Sequence, residues 1–184
     1  MVIHRWWLNL AGAGSVLAAL ATVVFGLPAL DRAVPAQRVA ATAQRHEIAA
    51  GVTVIPPAGA LIAKRSRTGP GQGSVLFLIG PARYVIAVEP FEGDLQAASV
   101  RLRTKIQSMR GYQITAGEAP LVTQSGLSGL AGSFTAPGRI GRFAAFLAPG
   151  HIIEVTINGS EGGLQQSLVL IDKSIASLSY GGER

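Results

Sequence analysis

The sequence has no cysteine among its 184 residues. Disulfide bonds, thiolate nucleophiles, iron–sulfur clusters and cysteine-ligated zinc are therefore excluded. An acylated lipoprotein anchor is excluded for the same reason, because it needs a cysteine at the cleavage point. Any attachment to a membrane must come from an apolar segment or from surface charge.

Aromatic and charged residues are also scarce, at 6% and 14% of the chain, and the net charge is +6. Proteins that bind single-stranded nucleic acid place aromatic side chains among basic ones. Here the basic residues are scattered, without a run of five or six like charges. We therefore expect no nucleic-acid partner, while an anionic lipid or an acidic protein stays compatible with the charge.

Apolar residues are abundant, and one stretch near the start accounts for much of the excess. Residues 6–30 carry no charge, beginning at Trp6 and ending at Leu30. About 20 apolar residues in a helix cross a hydrocarbon core of about 30 Å, and tryptophan favours the headgroup level. The sequence predicts a transmembrane signal anchor over residues 1–30, a juxtamembrane linker over 31–45 and one domain over 46–184.

Two alternatives to an anchor stay open, a cleaved signal peptide and a buried core helix. A cleavable signal would use Arg5 and a site near Ala36, but its apolar part is usually only 7–15 residues long. The arginine counts on the two sides do not settle the orientation. A short tail ahead of a long domain favours a plasma-membrane protein with its domain outside the cytoplasm. The abundance of Ala, Gly and Arg suggests a bacterium of high genomic GC content, such as an actinobacterium.

The remaining chain alternates between strand and helix patterns. Residues 65–73 are rich in Gly, Pro and Arg and are predicted as a loop. Hairpin-like breaks separate the strands, so an antiparallel sheet covered on one side by two helices is expected, an α+β sandwich. The predicted helices are 94–109 and 162–177, and the main predicted strands are 52–55, 60–64, 74–79, 84–89, 112–115, 127–135, 142–147 and 152–158.

This order of elements resembles the PsbP/Mog1-like domains, including exported actinobacterial members. The resemblance implies a binding, assembly or envelope protein without catalytic residues, and no ligand site carries over. A tryptophan typical of the family after the first turn is missing, since Ala58-Gly59-Ala60 stands there. The residues that carry the likeness are Val52-Thr53-Val54-Ile55-Pro56, the hairpin 74–89, the helix from Asp94, Gly126-Leu127-Ser128-Gly129 and Lys173-Ser174-Ile175.

The residues suited to chemistry form no recognisable motif. The histidines, including His46 and His151, lack the spacing of a metal site, and no G-x-S-x-G is present. A Ser/His/Asp set would have to combine His151 with Asp94 or Asp172. We therefore predict no catalytic, cofactor or metal site, and no cofactor.

Five basic residues form the predicted surface for an anionic partner: Lys64, Arg65, Arg67, Arg101 and Lys105. The leading hypothesis is a non-enzymatic, single-pass protein of the bacterial cell envelope that binds or scaffolds a membrane-complex partner or envelope component. The second is a carrier of a lipid or other hydrophobic ligand in a pocket between sheet and helices. The third is an unrecognised hydrolase. The sequence leaves the oligomeric state and the partner open.

Overall fold

The structure is a computed structural model that describes residues 39–182. These residues form two helices and two antiparallel sheets. In chain order the elements are β1 (Val39–Ala40), β2 (His46–Ala49), β3 (Val52–Val54), β4 (Leu61–Gly69), β5 (Gln72–Ile79), β6 (Ala82–Pro90), α1 (Leu95–Gln107), β7 (Gln113–Val122), β8 (Ser128–Ala136), β9 (Arg139–Ala148), β10 (His151–Gly159), α2 (Glu161–Ala176) and β11 (Ser179–Tyr180).

The large sheet has eight strands in the order β1-β4-β5-β6-β10-β9-β8-β7. Apart from β1 at one edge, it consists of two meanders, β4–β6 and β7–β10, joined where β6 pairs antiparallel with β10. The prediction of an antiparallel sheet with two helices, an α+β fold, is confirmed. The hairpin predicted over residues 74–89 corresponds to β5 and β6, and the predicted strands 127–135, 142–147 and 152–158 correspond to β8, β9 and β10, which tight turns join.

The predicted loop over residues 65–73 is wrong, because β4 continues to Gly69 and β5 begins at Gln72. Only Pro70 and Gly71 form the turn. Gly71 has a φ of +70°, and proline followed by such a residue is the arrangement of a type II turn. The glycines and the proline thus mark one tight turn between two long strands.

The second sheet, with strand order β11-β3-β2, was not predicted. It is short, since its strands have only two to four residues. It packs on the same core as α2, because Ile48, Val52 and Val54 lie buried in one cluster with Leu164 and Ile171. The small sheet and α2 together cover one face of the large sheet, which we call the α2 face.

The expectation that both helices cover one side of the large sheet is wrong. Helix α1 packs on the opposite face, where Leu102 and Ile106 form a separate cluster with Phe143 and Ile152. Successive side chains of a strand point to opposite faces, so Phe143 belongs to this α1 face and Ala144 to the α2 face. Strands β9 and β10 are buried on both sides, which explains their nearly continuous apolar sequence.

Three glycines in the large sheet make room for phenylalanine rings. Gly132 lies directly across from Phe143, Gly129 across from Phe146 and Gly141 across from Phe134. A Cβ atom added at Gly132 would come within 2.6 Å of the Phe143 ring. Glycine normally weakens a strand, but here it leaves space for a buried ring of the neighbouring strand.

The helices begin and end close to the predicted positions. Asp94, the predicted start of the first helix, is its N-cap and accepts a hydrogen bond from the backbone N–H of Ala97 at 2.7 Å. Such a cap satisfies a backbone donor that the first turn leaves unpaired. The strand predicted for 112–115 is longer than expected, since β7 continues past Gly117 and Pro120 with two irregularities in its register.

The predicted transmembrane segment, residues 6–30, lies outside the described residues. Neither helix within residues 39–182 has the length and apolarity needed to cross a bilayer. Most of the predicted linker also lies outside them. Its last part, from Val39, includes β1, which pairs with Leu61 and Ile62 of β4.

Candidate functional site

The basic residues Lys64, Arg65 and Arg67 lie on strand β4 at one edge of the large sheet. Strand β1 pairs only with Leu61 and Ile62, so the remainder of β4 is not paired on its outer side by any described strand. Arg65 lies across from Val75, which is buried on the α2 face, and Lys64 lies across from Leu76 on the other face. We call Lys64, Arg65 and Arg67 the basic edge.

Strand β2 lies beside this edge and supplies two partners. Arg65 donates a hydrogen bond to His46 Nδ1 at 3.0 Å, and Arg67 lies 3.4 Å from a carboxylate oxygen of Glu47. Burial, and then the charge of Arg65, lowers the pKa of His46. Because an arginine can only donate, this contact requires a neutral His46 with its lone pair on Nδ1.

The Arg67–Glu47 pair is open to solvent, with side chains 65% and 57% exposed. Exposed pairs of this kind contribute little free energy, about 0–1 kcal/mol. A cleft of about 230 Å³ lies between β2 and strands β4 and β5. It is lined by Glu47, Ile48, Arg65, Ser66, Arg67, Ser74 and Val75. Arginine and serine side chains at an open cleft provide donors that suit a phosphate, sulfate or carboxylate group.

Arg101 and Lys105, the other two residues of the predicted surface, lie on α1 and have a different setting. Lys105 Nζ is 2.7 Å from Glu154 Oε2 and 3.3 Å from Glu89 Oε1. Arg101 hydrogen-bonds Glu89 as well. The positive charges of Arg101 and Lys105 are therefore balanced by the carboxylates of Glu89 and Glu154. Anion binding at this position stays a prediction, and it would have to compete with these internal partners.

Glu154 is the buried member of this group, with a side chain only 4% exposed. Burial by itself would lower the pKa of Lys105, but its hydrogen bonds and charge interactions with Glu154 and Glu89 outweigh burial and raise it. The ion pairs of Lys105 with Glu154 and Glu89 connect α1 to β10 and β6. Arg101 and Lys105 were predicted from the sequence as members of one basic surface, but nothing in the sequence indicated Glu154 as their partner.

An apolar groove of about 270 Å³ lies on the α2 face, between α2 and the strands β7 to β10. Small residues create the space: Ala131 of β8 lies across from Ala144 of β9, and Ala176 of α2 lines the same groove. Larger side chains at these positions would close it. The groove is also lined by Leu121, Val122, Thr123, Arg142, Phe143, Val155, Ile157, Asp172 and Ile175.

One ion pair lies at this groove. Arg142 Nη1 is 3.1 and 3.3 Å from the two carboxylate oxygens of Asp172. Val122 at the end of β7, which lines the groove, is an apolar side chain that is 62% exposed. The groove combines an apolar floor with a donor and an acceptor at its side.

The Ser/His/Asp set considered for a hydrolase is not assembled among the described residues. Asp94 caps α1, and Asp172 pairs with Arg142. His151 Nδ1 bonds the carbonyl oxygen of Pro149 at 3.0 Å, and no serine hydroxyl bonds to its ring within residues 39–182. No group of three or more His, Asp or Glu side chains in that range could hold a metal ion.

Tyr84 of β6 is a fully buried residue with a polar hydroxyl group. Its hydroxyl lies 3.5 Å from Ser174 Oγ, and burial raises its pKa. Ser174 in turn donates to the carbonyl oxygen of Ile55 at 2.6 Å. These contacts fix α2 to the segment after β3, so their role is structural.

Comparison with known proteins gives similarity in structure only. No protein-family model matches the chain, and no curated protein matches its sequence. The solution structure of cyanobacterial PsbP (CyanoP) from Synechocystis sp. PCC 6803 is similar at a TM-score of 0.56 and 14% identity, over 77% of this chain and 94% of that one. The protein of unknown function PA94 from Pseudomonas aeruginosa is similar at a TM-score of 0.50 and 12% identity, over 65% of this chain and 98% of that one.

LpqN, a protein involved in cell envelope biogenesis of Mycobacterium tuberculosis, has a TM-score of 0.33 at 10% identity, over 71% of this chain and 77% of that one. That value is too low to carry an argument. At the identities of the other two structures, the likeness concerns the fold alone. The domain therefore has a PsbP-like fold, as the resemblance in the sequence implied.

Proposed function

We propose that this chain is a non-enzymatic, single-pass protein of the bacterial cell envelope. Its PsbP-like domain lies outside the cytoplasm and binds or scaffolds a membrane-complex partner or another envelope component. The observation that carries the proposal is the uncharged run over residues 6–30, placed directly before a domain of PsbP-like fold. Such a run supplies a means of attachment that needs no lipidated cysteine.

The geometry of the ionisable side chains supports a binding role. Asp94 caps a helix, Asp172 pairs with Arg142, and Glu154 pairs with Lys105. In each case a carboxylate is engaged by a neighbouring group that holds an element in place. The basic edge and the apolar groove, in contrast, are open to a partner.

Membrane attachment is tested by fractionating cells that express the full chain. We expect the protein in the membrane fraction, resistant to extraction with alkaline carbonate. Leu20→Arg places a charge at the centre of the span, costing about 2.5–3.5 kcal/mol of insertion free energy, and should release the protein. Leu20→Phe is the matched control and should stay in the membrane. Wild-type protein in the carbonate supernatant would contradict the anchor.

Orientation and partner binding are tested separately. Because the chain has no cysteine, Thr68→Cys on the exposed part of β4 introduces a single thiol. A membrane-impermeant maleimide should label it in intact cells if the domain faces outward. Crosslinking of detergent-solubilised membranes should then recover a defined envelope component. Labelling only after lysis, or recovery of no partner with any crosslinker, would count against the proposal.

A second candidate function is carriage of a hydrophobic ligand, and the apolar groove beside α2 favours it. Its volume of about 270 Å³ is just below the range of about 300–1,000 Å³ typical of sites for drug-sized molecules, so the groove suits a small apolar group rather than a whole two-chain lipid. Ala144→Leu would fill the groove, and Ala119→Leu on the exposed part of β7 is the matched control. Native mass spectrometry should find a co-purifying ligand in wild type and the control, and none in Ala144→Leu. A ligand-free wild type would favour scaffolding.

A further inference from the structure

Beyond Ile62, no strand within residues 39–182 pairs with the outer edge of β4, and this edge carries a concentration of positive charge. Sheet edges often carry lysine and arginine because these residues discourage pairing with a strand from another molecule. Edge protection is therefore the simplest reason for Lys64, Arg65 and Arg67. Edge protection does not by itself explain why the three cations lie on β4, the strand that pairs with β1 at the N-terminal end of the domain.

The path of the chain supplies a second reason. Strand β1, which begins at Val39, pairs with the start of β4. Only residues 31–38 separate Leu30, the last residue of the apolar run, from β1. Fully extended, this segment spans at most about 30 Å, since each residue adds about 3.3–3.6 Å. If residues 6–30 cross a bilayer, the edge formed by β1 and β4 is the part of the domain tied most closely to the membrane surface.

We propose that the basic edge of β4 docks on the anionic lipid headgroups of the membrane that holds the chain. This inference rests on the membrane anchoring proposed above. Side chains of an edge strand point to both faces of the sheet, so an approach along the edge brings Lys64, Arg65 and Arg67 to the headgroups together. Arginine is well suited to this contact, because its guanidinium group can donate two parallel hydrogen bonds to a phosphate.

The neighbouring carboxylate does not prevent such docking. Glu47 is 57% exposed and pairs with Arg67 at 3.4 Å, an interaction that water and salt weaken. A headgroup phosphate can replace it as the partner of Arg67. Arg101 and Lys105 differ, because buried Glu154 holds them. The docking surface proposed here therefore comprises only the three residues of the predicted surface that lie on β4.

The inference is tested with the full chain reconstituted in vesicles that contain a lipid with a nitroxide headgroup. One fluorescent label is attached at Thr68→Cys on the basic edge, and in a second protein at Gln165→Cys on the exposed side of α2. We expect quenching of the label at residue 68 in vesicles containing phosphatidylglycerol. It should be weak in pure phosphatidylcholine and at about 1 M NaCl, where the Debye length falls to about 3 Å. The label at residue 165 should not be quenched in vesicles of either composition.

Matched variants separate the basic edge from net charge. Lys64→Gln, Arg65→Gln and Arg67→Gln together should shift the ratio of docked to undocked domain about 100-fold, or about fivefold per residue. Arg110→Gln, Arg139→Gln and Lys173→Gln remove the same charge from other exposed positions and should leave the quenching unchanged. Equal losses in the two triple variants would overturn the inference. If the first triple variant does not fold, Arg67→Gln alone should still give about a fivefold shift.

Flotation on neutral vesicles distinguishes the two proposals. A chain that does not float with phosphatidylcholine vesicles lacks the anchor, and the proposed function fails with it. A chain that floats, but whose label at residue 68 is not quenched in phosphatidylglycerol vesicles, keeps its anchor and loses the basic edge as a docking surface. Quenching that is equally strong in neutral and anionic vesicles would also overturn the inference, because it would reflect tethering alone.

Discussion

The two faces of the large sheet are held to their helices by different forces. On the α2 face, helix α2 and the small sheet share one large apolar cluster that includes Ile171 and Phe77. On the α1 face the apolar cluster is much smaller, and Lys105 and Arg101 add ion pairs to Glu89 and Glu154. The free energy gained by burying apolar area depends little on salt, whereas the attraction within an ion pair at a partly exposed site is screened by salt.

This difference indicates which helix is attached in a way that depends on ionic strength. Helix α2 is fixed mainly by packing and by serine hydrogen bonds, such as that of Ser167 to the carbonyl oxygen of Ile79. Its ion pair from Asp172 to Arg142 joins two exposed side chains and contributes little free energy. We expect α1 to be the helix whose attachment changes with ionic strength. Native-state hydrogen exchange should accordingly rise more in α1 than in α2 when salt is added.

The largest expected effect is the loss of packing on the α2 face. Ile171 is fully buried, so Ile171→Ala should lower the free energy of unfolding by about 2–5 kcal/mol. Urea denaturation of residues 39–184 measures this value. Val169→Ala, on the same helix but 64% exposed, is the control and should change it little. Similar losses in both variants would mean that α2 is not packed as described.

An intermediate effect is expected on the α1 face. Glu154→Ala removes the buried carboxylate that accepts from Lys105, and we expect a loss of about 1–3 kcal/mol in the free energy of unfolding. In a double-mutant cycle with Lys105→Met, the coupling energy should shrink as salt is added. A coupling energy independent of salt, or close to zero, would show that apolar contacts alone hold α1.

The smallest effect concerns His46, at the rim of the α2 face. Its pKa is lowered in the folded protein from the ordinary value of 6.5, so below about pH 6.5 the unfolded chain binds the proton more strongly. Stability should therefore fall slightly as the pH drops through this range, and the contact from Arg65 should be lost once His46 is protonated. An NMR titration of the imidazole measures the pKa. His46→Gln should remove this part of the pH dependence, and a pKa of His46 above 6.5 would contradict the prediction.

Much of the fold could be predicted from local patterns. The hairpin turns, the cap at Asp94 and the apolar spacing of both helices are short-range features, and each led to an element that the structure contains. The small sheet was missed because β3 is only three residues long and pairs with β11 near the other end of the domain. A pairing across such a sequence distance leaves no signal within either segment.

The candidate sites were less predictable. The basic residues of β4 and α1 were found from their sequence, since charge is a property of each residue. Their partners were not, because Glu154 and Glu47 reach them only through the pairing and packing of separate strands. A pocket between sheet and helices was a hypothesis from the sequence, but the residues that line the groove were not identified. Ala131, Ala144 and Ala176 look like ordinary strand and helix residues until the fold brings them together.

The sequence by itself determined the composition limits, the uncharged run over residues 6–30, the hairpins and both helices, because each depends on residues close together in the chain. Only the tertiary structure decided that the helices lie on opposite faces of the sheet. Alternation along β9 and β10 is hidden when both faces are buried, so the pattern could not say which helix covers which face. The tertiary structure also divided five similar cations into two groups: the three of the basic edge, which is exposed, and Arg101 and Lys105, which pair with Glu89 and Glu154. Residue type alone cannot make this division, because burial and distance set the strength of the interaction between charges.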